Sequence, residues 1–559
     1  MTEPAPPAPA DRTAEDQEQR SILGSSAVMA AGTVVSRLSG FVRSGLLLAA
    51  LGNGLHADVF NIANTIPNML YILLAGGVFN AVLVPQLVRA MRSDEDGGAA
   101  YTSRIVTLAA LFLGGVTVVL VLAAPWVVAL ATDGSWSPEA QRSAVDFARF
   151  CLPQVFFYGM FVLVGQVLNA HGRFGPMMWA PIANNVVSVA VLVIYLVVYG
   201  TTGGSTDGGF TTNQELLLGL GSTLGIAVQL LVLVPYLRAA GVRLDPRFDF
   251  RGTGLGHTLR LGTWTVLFVL ANQVAYFVVV RLASSGTADG GADGTGYSVY
   301  STAFLIIMVP HSVITVSLAT AVLPTLSAHG ADGDLRGLAA RLGATLRTAL
   351  AVTVPFAALL PLVATDLARL ISYGRSADTY ENFVPSLALF GPGLVFFTVH
   401  YLVLRGFYAV ERTRTVFYIQ CAVAVTNIVV AALLVNATGD ADTAPALVVG
   451  YSAAYLVGSV ISYTVLARVL GGLESRVLVR FLVRLGVTVA VSTAVAGGAY
   501  AVGQALLGAP TYLEALLRAG VVTALDVAVF LLLARALRLR EVTSVLATIT
   551  RRLPAARRG

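Results

Sequence analysis

Fourteen apolar runs, each about 20 residues or longer, follow one another along this 559-residue chain. A run of that length matches the thickness of a bilayer's hydrocarbon core, where a chain must satisfy every backbone polar group internally. Only 12% of the residues are charged, well below the roughly 25% that is typical of soluble domains. The sequence therefore predicts an all-α polytopic membrane protein with spans at 22–51, 57–88, 105–131, 144–170, 177–200, 214–238, 258–284, 297–328, 343–372, 383–409, 414–437, 443–470, 478–505 and 512–537.

Arginine is concentrated in every second loop between these spans. The odd-numbered loops are short, or Gly-rich and acidic, as in "TTGGSTDGGF". Arginine is retained on the cytoplasmic side of membrane proteins, so both termini are expected in the cytoplasm. The even-numbered loops hold Arg89, Arg92 and Arg104; Arg173; Arg238, Arg243, Arg247 and Arg251; Arg336 and Arg341; Arg412 and Arg414; Arg476 and Arg480.

The chain repeats itself at an offset of 239 residues. The offset relates "VLVPQLVRA" to "AVLPTLSAH", "LPQVFFYG" to "GPGLVFFT", and "LNAHGRF" to "FYAVERT", in order and without a gap. Because it covers an even number of spans, it predicts two parallel six-helix lobes with two extra helices, an architecture of transporters. The expected division is a disordered tail (1–20), an N-lobe (21–240), a C-lobe (241–472), helices 13 and 14 (473–540) and a basic tail (541–559).

Two arginines, Arg37 and Arg43, interrupt the first span in "GTVVSRLSGFVRSGLLLAALG". A charged side chain at mid-bilayer costs about 2.5–3.5 kcal/mol on insertion scales, so each needs a partner or a cavity. One interpretation pairs them with helix carbonyls or a carboxylate, for which Asp58 is the nearest candidate. The other is a cavity-lining anion site, because the guanidinium fork suits phosphate oxygens.

The second span carries amides together with helix breakers. Asn61, Asn64 and Asn68 recur at helical spacing and form one polar stripe. The stripe either lines a water-filled cavity or bonds to neighbouring helices. The helix breakers favour a helix that bends and acts as a gate. They are Pro67, Gly76, Gly77 and Pro85.

Signals of covalent chemistry are missing from the sequence. It has no GxxxxGK[ST] phosphate loop, no HExxH zinc motif and no nucleic-acid module. No cofactor is expected, and energy would come from a monovalent-cation gradient, the membrane potential or the substrate gradient. Asn272, Gln273 and Asn427 are a candidate cation site, with amides that bridge helices as the alternative. The basic C-terminal tail either rests on anionic inner-leaflet lipids or serves as a plain positive-inside anchor.

The motifs "SRLSGFVRSGLLLAALG", "ADVFNIANTIPNML" and "GGVFNAVLVPQLVRA" resemble the opening of the MurJ/MviN family of lipid II flippases. The resemblance is sharpest over the first two spans, and fourteen spans fit that family. It implies a bacterial inner-membrane transporter whose central cavity holds the pyrophosphate and the sugar–peptide headgroup, while spans 13 and 14 form a groove for the polyprenyl tail. It also implies that Arg37 and Arg43 bind the headgroup and that Asp58 matches an acidic residue of the family.

The chain departs from that family at three places. Tyr71 and Ile72 stand where members often carry two arginines, and Ser44 stands where an acid commonly follows the second arginine. The segment "YSTAFLIIMVP" lacks an arginine that many members place in the eighth span. A cavity with fewer cations is expected to hold pyrophosphate less tightly.

The sequence favours a flippase that moves a lipid-linked peptidoglycan precursor to the outer leaflet by alternating access. The alternatives are an antiporter for drugs or small molecules, a flippase for another lipid-linked oligosaccharide, and a non-transporting scaffold for cell-wall synthesis proteins. An antiporter is expected to hold a carboxylate deep in a lobe, whereas Asp526 in span 14 is the main intramembrane acid.

Overall fold

The structure is a computed structural model, and it describes residues 35–73, 98–201, 208–249, 255–291, 293–507 and 511–543, with isolated positions at 32, 87, 90, 91 and 96. Several predicted features lie outside these residues. They are the N-terminal tail, the hinge candidates Gly76, Gly77 and Pro85, and most of the basic C-terminal tail.

The described residues fold into helices that follow the predicted spans in order. Twelve of these helices, those of spans 3 to 14, are long and apolar enough to cross a membrane, and the helices of spans 1 and 2 precede them. The helices cover 35–51 (span 1); Leu55–Ile72 (span 2); Ala99–Leu122 and Ala124–Ala131 (span 3); Pro138–Cys151 and Gln154–Ala170 (span 4); Gly175–Tyr199 (span 5); Thr212–Leu231 and Leu233–Ala239 (span 6); Leu255–Ser285 (span 7); Tyr297–Pro310 and Val316–Ala331 (span 8); Leu335–Ile371 (span 9); Val384–Ala409 (span 10); Thr413–Ala437 (span 11); Thr443–Leu470 (span 12); Ser475–Leu507 (span 13); and Tyr512–Ala536 (span 14).

Local sequence signals set several helix ends. Span 14 begins with a capping box, in which Thr511 and Glu514 satisfy each other's backbone amides. Span 4 begins at Pro138, after a Ser137 side chain that accepts from the Ala140 amide at 3.0 Å. Span 12 ends at Leu470 and is capped by Gly471, whose φ of 74° is a left-handed conformation that glycine adopts without a steric penalty.

The structure confirms two parallel lobes, spans 1–6 and 7–12. Spans 4 and 10, which correspond in the repeat, end at Ala170 and Ala409, 239 residues apart. Spans 2 and 8 share another feature, because Leu73 is π-helical and a π-helical turn occupies His311–Thr315. Spans 13 and 14 pack on span 9 of the C-lobe, outside the two repeats.

Candidate functional site

A cavity of about 400 Å³ lies between the two lobes. Spans 1, 2, 4, 5 and 6 form its N-lobe wall, and spans 7 and 8 form its C-lobe wall. Its polar lining consists of Arg43, Ser44, Asn61, Asn64, Thr65, Asn68, Gln154, Tyr158, Asn184, Ser188, Ser222, Tyr276, Tyr297, Tyr300, Ser301 and Thr302.

Arg43 is the one charged side chain among the described residues that line this cavity. It stands eight residues before the end of the span 1 helix, or about 12 Å along the axis. Arg37 is on the same helix, but it is exposed and is not part of the cavity wall. The structure therefore separates the two arginines that the sequence grouped together.

The amides of span 2 both line the cavity and bond across helices. Gln154 of span 4 donates to the Asn64 side chain at 2.9 Å, and Asn61 donates to the Ser298 hydroxyl of span 8 at 2.8 Å. Asn68 is exposed within the cavity wall. The stripe therefore both lines the cavity and bonds to neighbouring helices. The hydrogen bonds between helices hold the amides at the cavity wall. Pro67 is buried inside the same helix.

A chain of hydroxyls continues this polar wall from the N-lobe into the C-lobe. Thr65 of span 2 lies 2.8 Å from the Tyr297 hydroxyl of span 8, which lies 2.7 Å from the Tyr276 hydroxyl of span 7. These contacts cross the boundary between the lobes at the cavity. They can therefore persist only while the lobes remain closed at this level.

Asp58 closes the lobes at the end of the bundle that carries the odd-numbered loops, called here the odd-loop end. The carboxylate is fully buried and accepts from the Tyr297 amide at 2.9 Å, the Ser298 amide at 2.7 Å and the Thr287 hydroxyl at 2.9 Å. These two amides are the first of the span 8 helix, where the helix dipole favours an anion. A Cβ at Gly296 would overlap the carboxylate, so glycine permits this approach.

The suggested ion pair between Arg37 and Asp58 is therefore wrong. Asp58 is held by backbone amides of the opposite lobe, and it is not among the cavity-lining residues. Sequence reasoning missed this role because two of the three donors are backbone amides, which leave no side-chain motif. A glycine directly before span 8 and an acid at the start of span 2 were the available signals.

A second set of contacts at the odd-loop end joins span 7 to the last turn of span 3 and the loop that follows it. The Arg281 guanidinium donates to the carbonyls of Ala129, Leu130 and Thr132 at 2.8–3.0 Å. Nearby, the Trp136 ring nitrogen donates to the Ser284 carbonyl at 2.7 Å. Sequence reasoning also missed Arg281, although its place beside an odd-numbered loop breaks the arginine alternation.

The same loop holds an acid in a fixed position. Ser135 donates both its amide and its hydroxyl to Asp133, and these hydrogen bonds lower the pKa of that carboxyl. The Asp133 amide in turn donates to the Ser284 hydroxyl of span 7 at 2.7 Å. The loop after span 3 is thus ordered both within itself and against the C-lobe.

The three candidate cation ligands differ in their hydrogen-bond partners. Asn272 accepts from Gln420 of span 11 at 2.7 Å, whereas Gln273 donates to the Met69 carbonyl of span 2 at 2.5 Å. The Asn427 side-chain oxygen is buried without a partner. The geometry of the first two favours the alternative in which amides bridge helices.

The chemistry of this cavity is that of binding. In the part of the chain that the structure describes, no cluster of three His, Cys, Asp or Glu side chains could hold a metal ion. One guanidinium, several amides and several hydroxyls form the polar wall, and Phe60, Leu192 and Phe304 contribute apolar surface. Such a wall suits a ligand that combines a phosphate with hydroxyl and amide groups.

Comparison with known proteins identifies relatives across most of the chain. The family model described as Lipid II flippase MurJ matches residues 47–514. Lipid II flippase MurJ of Burkholderia cenocepacia is 28% identical over 396 residues, covering 68% of this chain and 72% of the relative. Probable lipid II flippase MurJ of Haemophilus influenzae is 26% identical over 415 residues, covering 71% of this chain and 77% of the relative.

Solved structures share the fold. Lipid II flippase MurJ in an inward closed conformation superposes with a TM-score of 0.71 at 16% identity, covering 91% of this chain and 98% of that structure. A multidrug resistance MATE family transporter of the MOP superfamily in an inward-facing conformation gives a TM-score of 0.63 at 17% identity, covering 79% of this chain and 98% of that structure. An outward-facing MATE structure gives 0.54 at 18% identity, with 80% and 95% covered.

Proposed function

The chain belongs to the lipid II flippase MurJ family, and we propose that it moves a polyprenyl-pyrophosphate-linked peptidoglycan precursor from the inner to the outer leaflet. The proposed site of binding is the cavity between the lobes. Arg43 would bind phosphate oxygens through its guanidinium fork. The amides of Asn64, Asn68 and Gln154 would bond to the sugar and peptide groups.

This proposal rests on one observation. The cavity has a polar wall with one cationic side chain, and it is closed at the odd-loop end. Asp58 at the start of span 8 and Arg281 against the loop after span 3 hold that end shut. The arginine-rich even-numbered loops support a cytoplasmic location for the opposite end. The structure would then represent the state of the cycle that is closed to the outside.

Transport in this proposal is alternating access between two lobes. Opening to the outside would break the Asp58 and Arg281 contacts, while contacts form at the cytoplasmic end. Pro67 leaves the Ala63 carbonyl without its helical donor, which makes span 2 suited to bending. Gly76, Gly77 and Pro85 would extend the same hinge. No covalent step occurs, so the energy would come from an ion gradient or the membrane potential.

The other partners follow from location. Spans 13 and 14 would hold the polyprenyl tail, since they lie outside the repeats and beside the C-lobe. Both termini would be cytoplasmic at the bacterial inner membrane, where the basic tail would meet anionic lipids. Cell-wall synthesis proteins are the expected protein partners, and they would use the precursor that reaches the outer leaflet.

An exporter of drugs or small molecules is the main alternative. An antiporter of that kind needs a carboxylate that faces its substrate cavity, and the described residues of this cavity wall include none. A flippase for a different lipid-linked oligosaccharide fits the same wall. The identity of the transported headgroup therefore distinguishes between the remaining candidate functions.

Depletion of the protein in its own bacterium tests this proposal. We expect the pyrophosphate-linked disaccharide–peptide precursor to accumulate on the inner leaflet, as measured by its inaccessibility to an impermeant label in intact cells. Other polyprenyl-linked sugars in the same cells are the control and should keep their distribution. An unchanged precursor distribution after depletion would contradict the assignment.

A further inference from the structure

Spans 13 and 14 are attached to span 9 by ion pairs at both ends of the interface. Toward the odd-loop end, Arg518 donates its Nε to both Asp366 oxygens at 3.0 Å, and its Nη2 also contacts that carboxylate. Toward the other end, Arg347 donates its Nε to Glu541 at 3.0 Å. Each of these acids is matched by a cation.

Asp526 lies between these ion pairs, and none of the cations that the structure describes pairs with it. The residue is only 2% exposed, and its Oδ1 is buried with no hydrogen-bond partner. Its polar contact among the described residues is with Ser492 of span 13. Asp526 stands 14 residues after Tyr512, the start of span 14, or about 21 Å along the axis, which places it near mid-bilayer.

Apolar layers enclose Asp526 on both sides. One turn before it, Val522 packs with Leu359 and Val363 of span 9. One turn after it, Phe530 belongs to the cluster that includes Leu485 of span 13. The side chains that pack one turn to either side of this carboxyl along the interface are therefore apolar.

Charged groups on the packed helices are about two turns or more from the level of Asp526 and Ser492. Arg518 stands eight residues before Asp526, and Arg484 stands eight residues before Ser492, about 12 Å along their helices. Arg518 and Arg347 are already bonded to other acids. The charged or titratable groups of these helices, apart from Asp526 itself, are Arg336, Arg341, Arg347, Asp366 and Arg369 on span 9, Arg476, Arg480, Arg484 and Tyr500 on span 13, and Tyr512, Glu514, Arg518 and Arg535 on span 14.

An ionised carboxylate in this place would be a buried charge with neither a counter-ion nor enough donors. Asp58 shows the contrast, because three donors and a helix N-terminus surround its two oxygens. A neutral carboxylic acid carries no charge to compensate, and it donates one hydrogen bond itself. The Ser492 hydroxyl donates to the Val489 carbonyl at 3.2 Å, so toward Asp526 its oxygen can accept the hydrogen bond of a protonated carboxyl.

We propose that Asp526 is a proton-binding site that holds its proton while spans 13 and 14 are docked on span 9. The proton leaves for water when the middle of this interface opens, and the resulting carboxylate opposes re-docking until it is protonated again. Proton binding thereby favours the docked position of the two helices that, under the proposed function, hold the lipid tail. The site itself does not depend on which substrate is carried.

Infrared difference spectroscopy of the full-length protein in lipid vesicles tests the protonation state directly. At neutral pH, the spectrum of wild type minus Asp526→Asn should show the C=O stretch of a protonated carboxyl, with the usual downshift in D2O. A carboxylate band in its place would overturn the proposal. Asp366→Asn is the matched control, and its difference spectrum should show a carboxylate because Arg518 pairs with that acid.

Two further measurements keep the test decisive. If Asp526→Asn does not assemble, Asp526→Glu should retain the protonated band at a shifted frequency. Loss of that band on adding sodium at constant pH would assign a cation site instead and overturn the proton assignment. None of these readouts requires transport, so a failure of the proposed function would be distinguished from a failure of this site.

Discussion

Span 4 of the N-lobe and span 10 of the C-lobe hold the same place in the repeat but carry different side chains. Gln154 and Tyr158 of span 4 line the central cavity. The residues 239 positions later are Gly393 and Phe397. Phe397 packs 4.8 Å from the Tyr455 ring, inside an aromatic cluster of the C-lobe.

The same division separates spans 2 and 8. Span 2 presents the amides of Asn64 and Asn68 to the cavity, whereas span 8 contributes no amide and presents hydroxyls together with Phe304 and Leu305. Phe304 also packs against Phe390 and Tyr451 within the C-lobe. One backbone plan thus carries the arginine and the amides of the cavity wall in the N-lobe and a packed aromatic core in the C-lobe.

The repeat therefore determines where the helices lie, but it does not determine which side chains each helix face carries. Backbone amides and the spacing of apolar residues suffice to place the helices. The identity of a few inward side chains then decides what each lobe does. Three sets of substitutions test how far that division holds, from the largest expected effect to the smallest.

Replacement of Asp58 should have the largest effect, because it is the N-lobe group that holds span 8 of the C-lobe. Asp58→Ala removes three hydrogen bonds to a charged group, each worth about 1.5–3 kcal/mol, and leaves two buried amides unsatisfied. The closed odd-loop end should open. A disulfide between cysteines placed at Asn53 and Thr379, which hydrogen-bond at 2.9 Å, should form in much lower yield.

The parent for that experiment has the same two cysteines and lacks Cys151 and Cys421. Asp58→Asn is the matched variant, because it keeps the shape but loses the charge and one acceptor. Its crosslinking yield should fall between those of the parent and of Asp58→Ala. A yield equal to the parent's in Asp58→Ala would show that the lobes are held by other contacts.

Arg43 should have the next largest effect, on transport with little change in folding. Loss of one hydrogen bond to a charged group is worth about 1.5–3 kcal/mol, or about ten- to a hundred-fold in affinity. We expect Arg43→Ala to abolish flipping of the precursor in reconstituted vesicles. Arg43→Lys should be clearly impaired, because it keeps the charge and loses the bidentate geometry.

Arg37→Ala is the control for Arg43, since it removes the same type of side chain from the same helix, outside the cavity wall. It should flip the precursor at close to the wild-type rate, with equal protein in the vesicles. Equal loss of transport in Arg37→Ala and Arg43→Ala would contradict the structure, which has Arg43 in the cavity wall and Arg37 outside it.

The smallest effect is expected from exchanging one hydroxyl between the lobes. Tyr158→Phe gives the N-lobe the residue that the C-lobe has, and should lower the flipping rate about two- to ten-fold through one lost hydrogen bond. Phe397→Tyr adds a hydroxyl to the aromatic cluster, and should lower stability by about 1–3 kcal/mol with transport unchanged. Thermal unfolding and vesicle flipping of both variants separate the two outcomes, and the reverse pattern would refute the division between lobes.

The sequence by itself determined the helix count, the order of the helices and the parallel repeat. Apolar runs of membrane length must become helices, because a bilayer gives the backbone no other partner. The 239-residue offset then fixed the relation between the lobes, and spans 4 and 10 end at residues related by it. The amide stripe of span 2 was also readable, since helical spacing alone puts Asn61, Asn64 and Asn68 on one face.

Only the tertiary structure decided which of these polar groups share a site. Arg37 and Arg43 have the same residue type on one helix, and the packing of seven spans around the cavity places only Arg43 in its wall. Asp58 pairs with backbone amides 239 and 240 residues away, a contact that no side-chain motif encodes. Helical periodicity assigns a residue to a face of its own helix, but the partner of that face depends on long-range packing between helices that are distant in sequence.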